Sequence, residues 1–348
     1  MERESDIYKG YNEIYSEHYG KWDAAQSKRY FEYRKKWEEN AKKLFVEKFP
    51  LHIDIGITNS CNLKCTFCPR TILIEEGKWR DVKHMDMEMY KKIIDESVEL
   101  GTYSINLNLL NEPLVHPKII EMIKYAKEKG IVDVHFHTHG GLLSEKMCNE
   151  LLESGLDKLL VSIDSPDKEE YEKLRVLSDF DTVVGGLLRF KKMRDDRGLL
   201  NPLIKCNFIQ FPGITKEKLN EDISFGLELG DSVGLQEYIR PTLDNGEGIN
   251  FQPGYKSSFV CQQPFTRIAI IEDGRVSPCC TDSNLDLIVG DLNKQTLLEI
   301  WESKKMQNVR KLHSDGEYYK LKACKNCDVA INGDKGIETP YDKFGPTL

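Results

Sequence analysis

The fold is decided by residues 51–69, LHIDIGITNSCNLKCTFCP, in which an apolar run of β type leads directly into a loop with three cysteines. From here onward, short β-type runs alternate with segments of helical period, which is the pattern of βα units and a parallel sheet. Strands are predicted at 51–58, 104–110, 132–138, 158–163, 204–210 and 233–238, and helices at 87–100, 117–129, 144–154, 181–197 and 215–229. Six such units predict an α/β fold, as a partial barrel or an open sheet, with ligands at the carboxyl ends of the strands.

The composition is typical of a soluble globular enzyme. The 348 residues are 40% hydrophobic and 30% charged, which excludes a disordered, collagen-like or membrane-embedded chain. The formal net charge of -8 gives no electrostatic footprint for nucleic acid or for an anionic membrane surface. Residues 1–10 contain no apolar signal-peptide core, so we expect a cytoplasmic protein.

We expect an N-terminal helical extension at 1–50, the βα core at 51–248 and a smaller C-terminal domain at 249–348. The extension carries an apolar stripe at helical spacing, which predicts a helix packed on the core, with a partner-docking arm as the alternative. The stripe consists of Tyr30, Tyr33, Trp37, Ala41 and Leu44. In the C-terminal domain, 266–271 and 275–277 predict a β-hairpin, and 296–312 predicts one amphipathic helix.

Ten cysteines are too few, in a chain this long, for a secreted scaffold held by disulfides. Three of them, Cys61, Cys65 and Cys68, are spaced Cys-x3-Cys-x2-Cys in the loop after the first strand. Three thiolates without a fourth ligand make a poor structural zinc site. They suit a [4Fe–4S] cluster held at three corners, whose fourth iron is open to bind a small molecule.

This loop carries the aromatic Phe67 between its second and third cysteines, and it resembles that of the radical S-adenosylmethionine (SAM) enzymes. The resemblance implies a (βα)6 partial TIM-type barrel in which the open iron binds the amino and carboxylate groups of SAM. Reduction by a flavodoxin or ferredoxin would then cleave SAM to methionine and a 5′-deoxyadenosyl radical. That radical abstracts a hydrogen atom from an unactivated carbon of the substrate.

The resemblance also implies SAM contacts at the strand ends. Phe67 would meet the adenine, Arg175 the methionine carboxylate and Asn207 the adenosine. Ser162 and Asp164, at the end of the fourth predicted strand, would hold the ribose or the methionine. A polar residue that ends a strand is often only a loop or cap residue, which is the alternative for each of them.

The second strand departs from the family pattern. Family members usually carry Gly-Gly-Glu there, whereas this chain has Leu110-Asn111-Glu112-Pro113. Glu112 keeps the carboxylate that would accept a hydrogen bond from the methionine ammonium. The loss of both glycines changes the backbone around that contact.

A second cysteine set lies in the C-terminal domain, at Cys261, Cys279, Cys324 and Cys327, with Cys280 adjoining. From spacing alone, a zinc ribbon and an iron–sulfur cluster are equally favoured. The segment resembles the SPASM and Twitch modules, and its cysteine count is closest to the Twitch form, which implies one auxiliary [4Fe–4S] cluster. A fully ligated cluster has no open iron for substrate, so it would accept or relay an electron.

The remaining candidates depend on the reaction. Cys148 is expected in the core, whereas Cys206 or Cys280 could return a hydrogen atom in an epimerase. In an oxidation, a base must take a proton, and His137 is the candidate, since it alternates with neighbouring histidines on the third predicted strand. Arg240, just beyond the sixth predicted strand, could orient a polyol or a carboxylate.

These features lead to one main hypothesis and two alternatives. The main hypothesis is a radical SAM enzyme that oxidises or epimerises a carbinol carbon of a sugar or aminocyclitol, since the single auxiliary cluster resembles that of aminocyclitol dehydrogenases. The first alternative is modification of a peptide. The second is a non-catalytic iron–sulfur or zinc-stabilised interaction protein.

Anaerobically purified and reconstituted protein is expected to contain about eight irons per chain, from two four-iron clusters. Iron and acid-labile sulfide analysis measures this number directly. About four irons together with one zinc would contradict the auxiliary cluster and would favour a redox-neutral reaction.

Overall fold

A computed structural model of the chain describes residues 12–239 and 254–334. Within these two ranges, none of the helices combines the length and the apolar character needed to cross a membrane. In the N-terminal half, the helices and strands in chain order are β1 (Asn12–Tyr15), α1 (Glu17–Ala24), α2 (Lys28–Lys43), β2 (His52–Ile55), α3 (Pro69–Glu75), α4 (Met87–Leu100), β3 (Ser104–Asn106), α5 (Ile119–Glu128), β4 (Asp133–Thr138), α6 (Glu145–Leu152), β5 (Lys158–Ser162) and α7 (Lys168–Leu174).

The second half continues the βα alternation and then changes to a smaller arrangement of short elements. Its helices and strands are α8 (Phe180–Asp196), β6 (Leu203–Gln210), α9 (Lys216–Leu229), β7 (Ser232–Glu237), α10 (Gln263–Thr266), β8 (Arg267–Ile270), β9 (Arg275–Ser277), β10 (Gly290–Asp291), α11 (Leu297–Trp301), α12 (Lys304–Ser314), α13 (Lys322–Lys325) and α14 (Asp328–Asp334). Each of the six predicted strands and five predicted helices of the core overlaps an observed one.

The ten strands form one sheet in the order β1-β7-β6-β5-β4-β3-β2-β8-β9-β10. The six strands from β2 to β7 are parallel neighbours in chain order, as six βα units require. The sheet is extended at both ends, since β1 pairs antiparallel with β7 and β8 pairs parallel with β2. The predicted hairpin of β8 and β9 is confirmed, and it belongs to this sheet.

The sheet is curved, with a concave inner face. Strands β2 and β4 are separated by β3, yet the rings of His52 and His135 lie 5.6 Å apart. In a flat sheet two strand spacings would hold them about 9–10 Å apart. Asn207 on β6 likewise reaches His137 on β4 over 3.4 Å, across β5. These contacts show that the partial barrel, rather than the open sheet, is the correct choice.

The helices cover the outer face with apolar stripes. In α4 the buried positions Tyr90, Ile93, Ile94 and Ser97 recur at helical spacing, which directs one face toward the sheet. The Asp86 side chain caps the start of this helix by accepting a hydrogen bond from the Met89 amide, and Gly101, in the left-handed region, ends it. Local sequence therefore sets both ends of the helix, and burial sets its orientation.

The N-terminal stripe forms a helix that packs on the core, as predicted. Tyr33 and Trp37 of α2 are fully buried. The Tyr33 ring stacks on Tyr103 at 5.8 Å, and the Trp37 ring meets His52 of β2 edge-on at 5.6 Å. Helix α2 thus contacts the first strand of the barrel directly.

The prediction of one helix over 296–312 is wrong. The chain forms α11 and α12 there, with a break at Glu302 and Ser303. The Ser303 side chain accepts a hydrogen bond from the Met306 amide over 3.1 Å and so starts a new helix. The break lets Arg310 of α12 fold back over Trp301, with the guanidinium 3.9 Å from the ring centre.

Loss of the buried ion pair between Arg194 and Asp231 is expected to destabilise the barrel strongly. Arg194 has no exposed surface, and Asp231 also accepts a hydrogen bond from the Ile204 amide over 2.8 Å. Because Asp231→Ala leaves the fully buried Arg194 with only the half-exposed carboxylate of Asp195 as a counter-charge, it is expected to lower the free energy of unfolding by about 3 kcal/mol. Denaturant titration followed by circular dichroism measures this change.

The matched control is Asp196→Ala on the same helix as Arg194. Asp196 pairs with Lys192 over 2.7 Å, but both side chains are exposed. Its loss is expected to cost no more than about 1 kcal/mol. Equal effects of the two substitutions would contradict the assignment of Arg194 and Asp231 as a structural pair.

Candidate active site

Backbone hydrogen bonds hold the loop with the first three cysteines at the carboxyl edge of the sheet. The Lys64 amide donates to the Val176 carbonyl and the Thr66 amide to the Leu174 carbonyl, both over 3.0 Å. Cys68 then precedes α3, whose first residue is a proline, a position where the missing N–H is not needed. The loop, residues 59–69, is called the cysteine loop below.

The thiols of the cysteine loop influence one another. Cys65 is buried, and Cys61 and Cys68 are partly buried. Burial raises the pKa of Cys61 to about 11 and also raises that of Cys65, and the neighbouring thiols add to both shifts. Such thiols keep their protons unless a cation replaces them. Three adjacent sulfurs on one loop therefore fit three corners of the predicted cluster.

Arg175 is one of the predicted SAM contacts, and it touches two others, Asp164 and Phe67. Its Nη2 forms an ion pair with Asp164 Oδ2 at 2.5 Å, and its guanidinium lies 5.6 Å from the centre of the Phe67 ring. Its Nη1 lies 3.9 Å from the Cys65 sulfur. Asp164, with a φ of 60°, is held by the Ile209 amide, which donates to Oδ1 over 3.0 Å. The structure thus brings Phe67, Asp164 and Arg175 together beside the cysteine loop.

Glu112 ties the cysteine loop to β4. Its Oε1 accepts a hydrogen bond from the Thr138 hydroxyl over 2.8 Å, and its Oε2 accepts one from the His139 amide over 2.9 Å. The His139 ring lies 2.8 Å from Asn62 Oδ1 in the cysteine loop. The Glu112 amide also donates to the Ser60 carbonyl over 2.9 Å. This network surrounds the buried carboxylate and fixes its orientation.

Ser162, Asn207 and His137 lie on the inner face. Ser162 and Asn207 are register partners on β5 and β6, and Asn207 contacts His137. Burial, together with the nearby positive charges of His135 and Lys205, lowers the pKa of His137 to about 3. The His137 ring is therefore neutral at pH 7 and only weakly basic.

Sequence reasoning missed a buried polar group on the same face. Asp54 pairs with Arg267 Nη1 over 3.2 Å, lies 3.3 Å from His52 Nε2 and accepts a hydrogen bond from Asn106 Nδ2 over 2.8 Å. Among the described residues, Asn106 Oδ1 is buried without a hydrogen-bond donor. The available signal was the alternation of polar His52 and Asp54 within an otherwise apolar strand.

A pocket opens at the carboxyl edge of the sheet, between β2 and the hairpin of β8 and β9. Its walls include Gly56, Leu109, Ala269, Cys279 and Cys280. Burial raises the pKa of Cys280 to about 11, and the thiol lies close enough to Asp54 and Arg267 to be influenced by both. Cys280 therefore keeps its hydrogen, and it lies close to Cys261 and Cys327 as well as to the polar inner face. This space is called the edge pocket below.

The C-terminal cysteine set surrounds a second cavity. Cys261, Cys279, Cys324 and Cys327 all line it, together with His313 and mostly apolar side chains. Burial raises the pKa of all four thiols, to about 12 for Cys261. Four partly buried cysteines around one space fit the fully ligated cluster predicted for this domain. This space is called the auxiliary cavity below.

The structure corrects one candidate and leaves another as a prediction. Cys206 is fully buried on the outer face of β6, where its sulfur packs against Gly230 after α9. Because strand alternation turns it away from the inner face, the prediction that it donates a hydrogen atom is wrong. Cys148 lies in the hydrophobic core, as predicted. Arg240 lies outside the described residues, so its role stays a prediction.

Two family models match the chain. The model of the radical SAM superfamily matches residues 55–226, and that of an iron–sulfur cluster-binding domain of the SPASM type matches residues 261–328. The chain belongs to the radical SAM superfamily. The two matches contain the two cysteine sets described above.

Curated relatives include enzymes with different reactions. The SAM-dependent 2-deoxy-scyllo-inosamine dehydrogenase of Niallia circulans is 23% identical over 305 residues, which are 85% of this chain and 99% of that one. The GTP 3′,8-cyclase of Chlorobaculum tepidum is 28% identical over 187 residues. The chain spans only about half of that cyclase, 52% of its length.

Solved structures share the fold at low identity. BtrN in complex with AdoMet and 2-DOIA is 18% identical, with a TM-score of 0.56 over 87% of this chain and all of BtrN. SuiB of Streptococcus suis bound to S-adenosylmethionine is 15% identical, with a TM-score of 0.60 over 87% of this chain and 78% of SuiB. The matches to the radical SAM and SPASM family models, which contain both cysteine sets, show an enzyme whose cofactors are SAM and [4Fe–4S] clusters.

The Glu112 network is expected to support SAM cleavage. In the wild type, both oxygens of Glu112 accept hydrogen bonds. In Glu112→Gln, an NH2 group replaces one of these oxygens and cannot accept, so the link between β4 and the cysteine loop is disrupted. Because hydrogen bonds to a charged group contribute about 1.5–3 kcal/mol, formation of 5′-deoxyadenosine is expected to fall about tenfold or more. Chromatography of the reconstituted enzyme's products measures this rate.

The matched control is Glu121→Gln, at an exposed position of α5. It makes the same chemical change away from the site and is expected to keep the wild-type rate. A wild-type rate in Glu112→Gln with normal iron content would contradict the role of the network.

Proposed function

We propose that this radical SAM enzyme oxidises a carbinol carbon of a sugar or an aminocyclitol. The observation that carries the proposal is a shared wall, because Cys279 lines both the edge pocket and the auxiliary cavity. An electron acceptor in the auxiliary cavity would therefore lie next to a substrate bound in the edge pocket. The dehydrogenase relative, which aligns over almost its full length, supports the same reaction class.

In this proposal the two cysteine sets have separate tasks. Cys61, Cys65 and Cys68 hold the cluster that binds SAM, and Cys261, Cys279, Cys324 and Cys327 hold the auxiliary cluster. When bound, these groups supply the 5′-deoxyadenosyl radical that takes a hydrogen atom from carbon, and an acceptor for one electron. The oxidation is balanced when the hydroxyl of the substrate also releases one proton to solvent water.

The residues around the cysteine loop would orient SAM. Arg175 places a positive charge 3.9 Å from the Cys65 sulfur and would attract the methionine carboxylate of SAM. Its partner Asp164 fixes the guanidinium, and Phe67 offers an aromatic face for the adenine. Ser162 and Asn207, farther along the inner face, would hold the adenosine. Glu112 fixes the loop and offers the methionine ammonium a carboxylate oxygen.

The inner face suits a neutral or singly charged polyol. Asp54 would accept a hydrogen bond from a substrate ammonium or hydroxyl, and Asn106 Oδ1 is a second acceptor. His137, neutral at pH 7, would act as a hydrogen-bond partner of a hydroxyl. A nucleoside triphosphate would require several cations, whereas among the described residues Arg267 is paired with Asp54 and Arg80, on the wall of the edge pocket, is paired with Glu272.

The test is a substrate screen with the reconstituted enzyme, SAM and a chemical reductant under anaerobic conditions. Aminocyclitols and sugars are expected to stimulate 5′-deoxyadenosine formation, and the product is expected to lack two hydrogen atoms by mass spectrometry. Stimulation by peptides alone would contradict the proposal. Epimerisation would be shown instead by a product that has the mass of the substrate in H2O and gains one deuterium in D2O.

A variant separates hydrogen abstraction from electron transfer. Cys324→Ala removes one proposed ligand of the auxiliary cluster and leaves the cysteine loop intact. It is expected to form 5′-deoxyadenosine with substrate but to lose most of the oxidised product, because the electron has no acceptor. Unchanged yield of oxidised product would argue against the auxiliary cluster as the acceptor.

A further inference from the structure

We infer that His313 donates a hydrogen bond from its Nε2–H to the sulfur of Cys324 and thereby raises the reduction potential of the auxiliary cluster. The inference rests on the proposed ligand set of that cluster. His313 lies on α12 and is only 2% exposed. Its Nε2 lies 3.7 Å from the Cys324 sulfur, and its ring lines the auxiliary cavity with the four cysteines.

The ring of His313 is fixed from two directions. Met306, Val309 and His313 are the buried positions of α12, so one face of the helix directs the imidazole inward. On its other side the ring stacks on Tyr318, with centroids 6.1 Å apart and planes inclined by 13°. Packing therefore holds the His313 ring in contact with Cys324, whereas an exposed side chain would be free to rotate away.

The chemistry of the sulfur determines which nitrogen carries hydrogen. A thiolate bound to iron has no hydrogen and can only accept a hydrogen bond, so Nε2 must be the donor. Nδ1 of the same ring is buried and has no hydrogen-bond partner among the described residues. The hydrogen bond from Nε2 to the Cys324 sulfur is therefore the polar contact that the structure shows for the His313 ring.

A hydrogen bond to a ligand sulfur changes the redox balance of the cluster. The reduced cluster carries one more negative charge than the oxidised cluster, so an N–H group aimed at the sulfur stabilises the reduced form more. His313 therefore makes the auxiliary cluster a better electron acceptor. This effect matches the proposed oxidation, in which the cluster takes an electron from the substrate.

The test is a redox titration followed by electron paramagnetic resonance. The triple variant Cys61→Ala, Cys65→Ala, Cys68→Ala is the parent, so that the signal comes from the auxiliary cluster alone. His313→Phe in this parent is expected to shift the midpoint potential to a more negative value. His313→Gln, which retains an N–H donor, is expected to stay closer to the parent.

A matched control and a second measurement keep the result unambiguous. His116→Phe removes another buried imidazole, which contacts the Met85 carbonyl, and is expected to leave the potential unchanged. In the parent labelled with 15N-histidine, pulsed resonance of the reduced cluster is expected to show coupling to a histidine nitrogen that His313→Gln removes. This measurement decides the question even if His313→Phe fails to assemble the cluster.

Equal midpoint potentials in His313→Phe and the parent, or no histidine coupling in the parent, would overturn the inference. Failure of the proposed ligand set gives a different result. The triple variant would then bind no iron after reconstitution, whereas about four irons per chain are expected from one auxiliary cluster.

Discussion

The parallel pairing of β2 with β8 is the constraint on which the site depends. Strand β2 leads into the cysteine loop, and β8 leads into the hairpin that ends at Cys279 and Cys280. The register aligns His52 with Arg267 and Asp54 with Ala269, so the two strands end at the same edge of the sheet. Because β9 runs antiparallel to β8, the chain returns at Cys279 and Cys280 toward the amino end of β8, below the edge where β2 leads into the cysteine loop. A single backbone ladder thus sets the spacing between the two proposed clusters.

The same pairing explains the polar inner face. It brings Arg267 against Asp54, two residues separated by more than two hundred positions in the chain. A buried ion pair contributes little to stability, because desolvation of both charges offsets their attraction. The pair, with His52 and Asn106, makes the inner face of the barrel polar. The hydrophobic core lies instead between the outer face and the helices.

Burial of the thiols couples cluster assembly to folding. Each proposed ligand of the auxiliary cluster has a raised pKa, so the folded chain favours protonated thiols until iron displaces the protons. Cys279 lines both the edge pocket and the auxiliary cavity, and it is therefore part of the wall that the two spaces share. The neighbouring Cys280 lines the edge pocket and lies close to Asp54 and Arg267.

The sequence by itself determined the elements whose signal is local. The βα alternation and the Cys-x3-Cys-x2-Cys loop predicted the six parallel strands and the radical SAM family, because period and spacing are properties of neighbouring residues. Only the tertiary structure decided which face of a strand is concave. Cys206 and Asn207 are neighbours in sequence, yet curvature places one in the outer core and the other inside the barrel. The pairing of Asp54 with Arg267 and the contact of His313 with Cys324 likewise depend on packing between different elements, which no local pattern records.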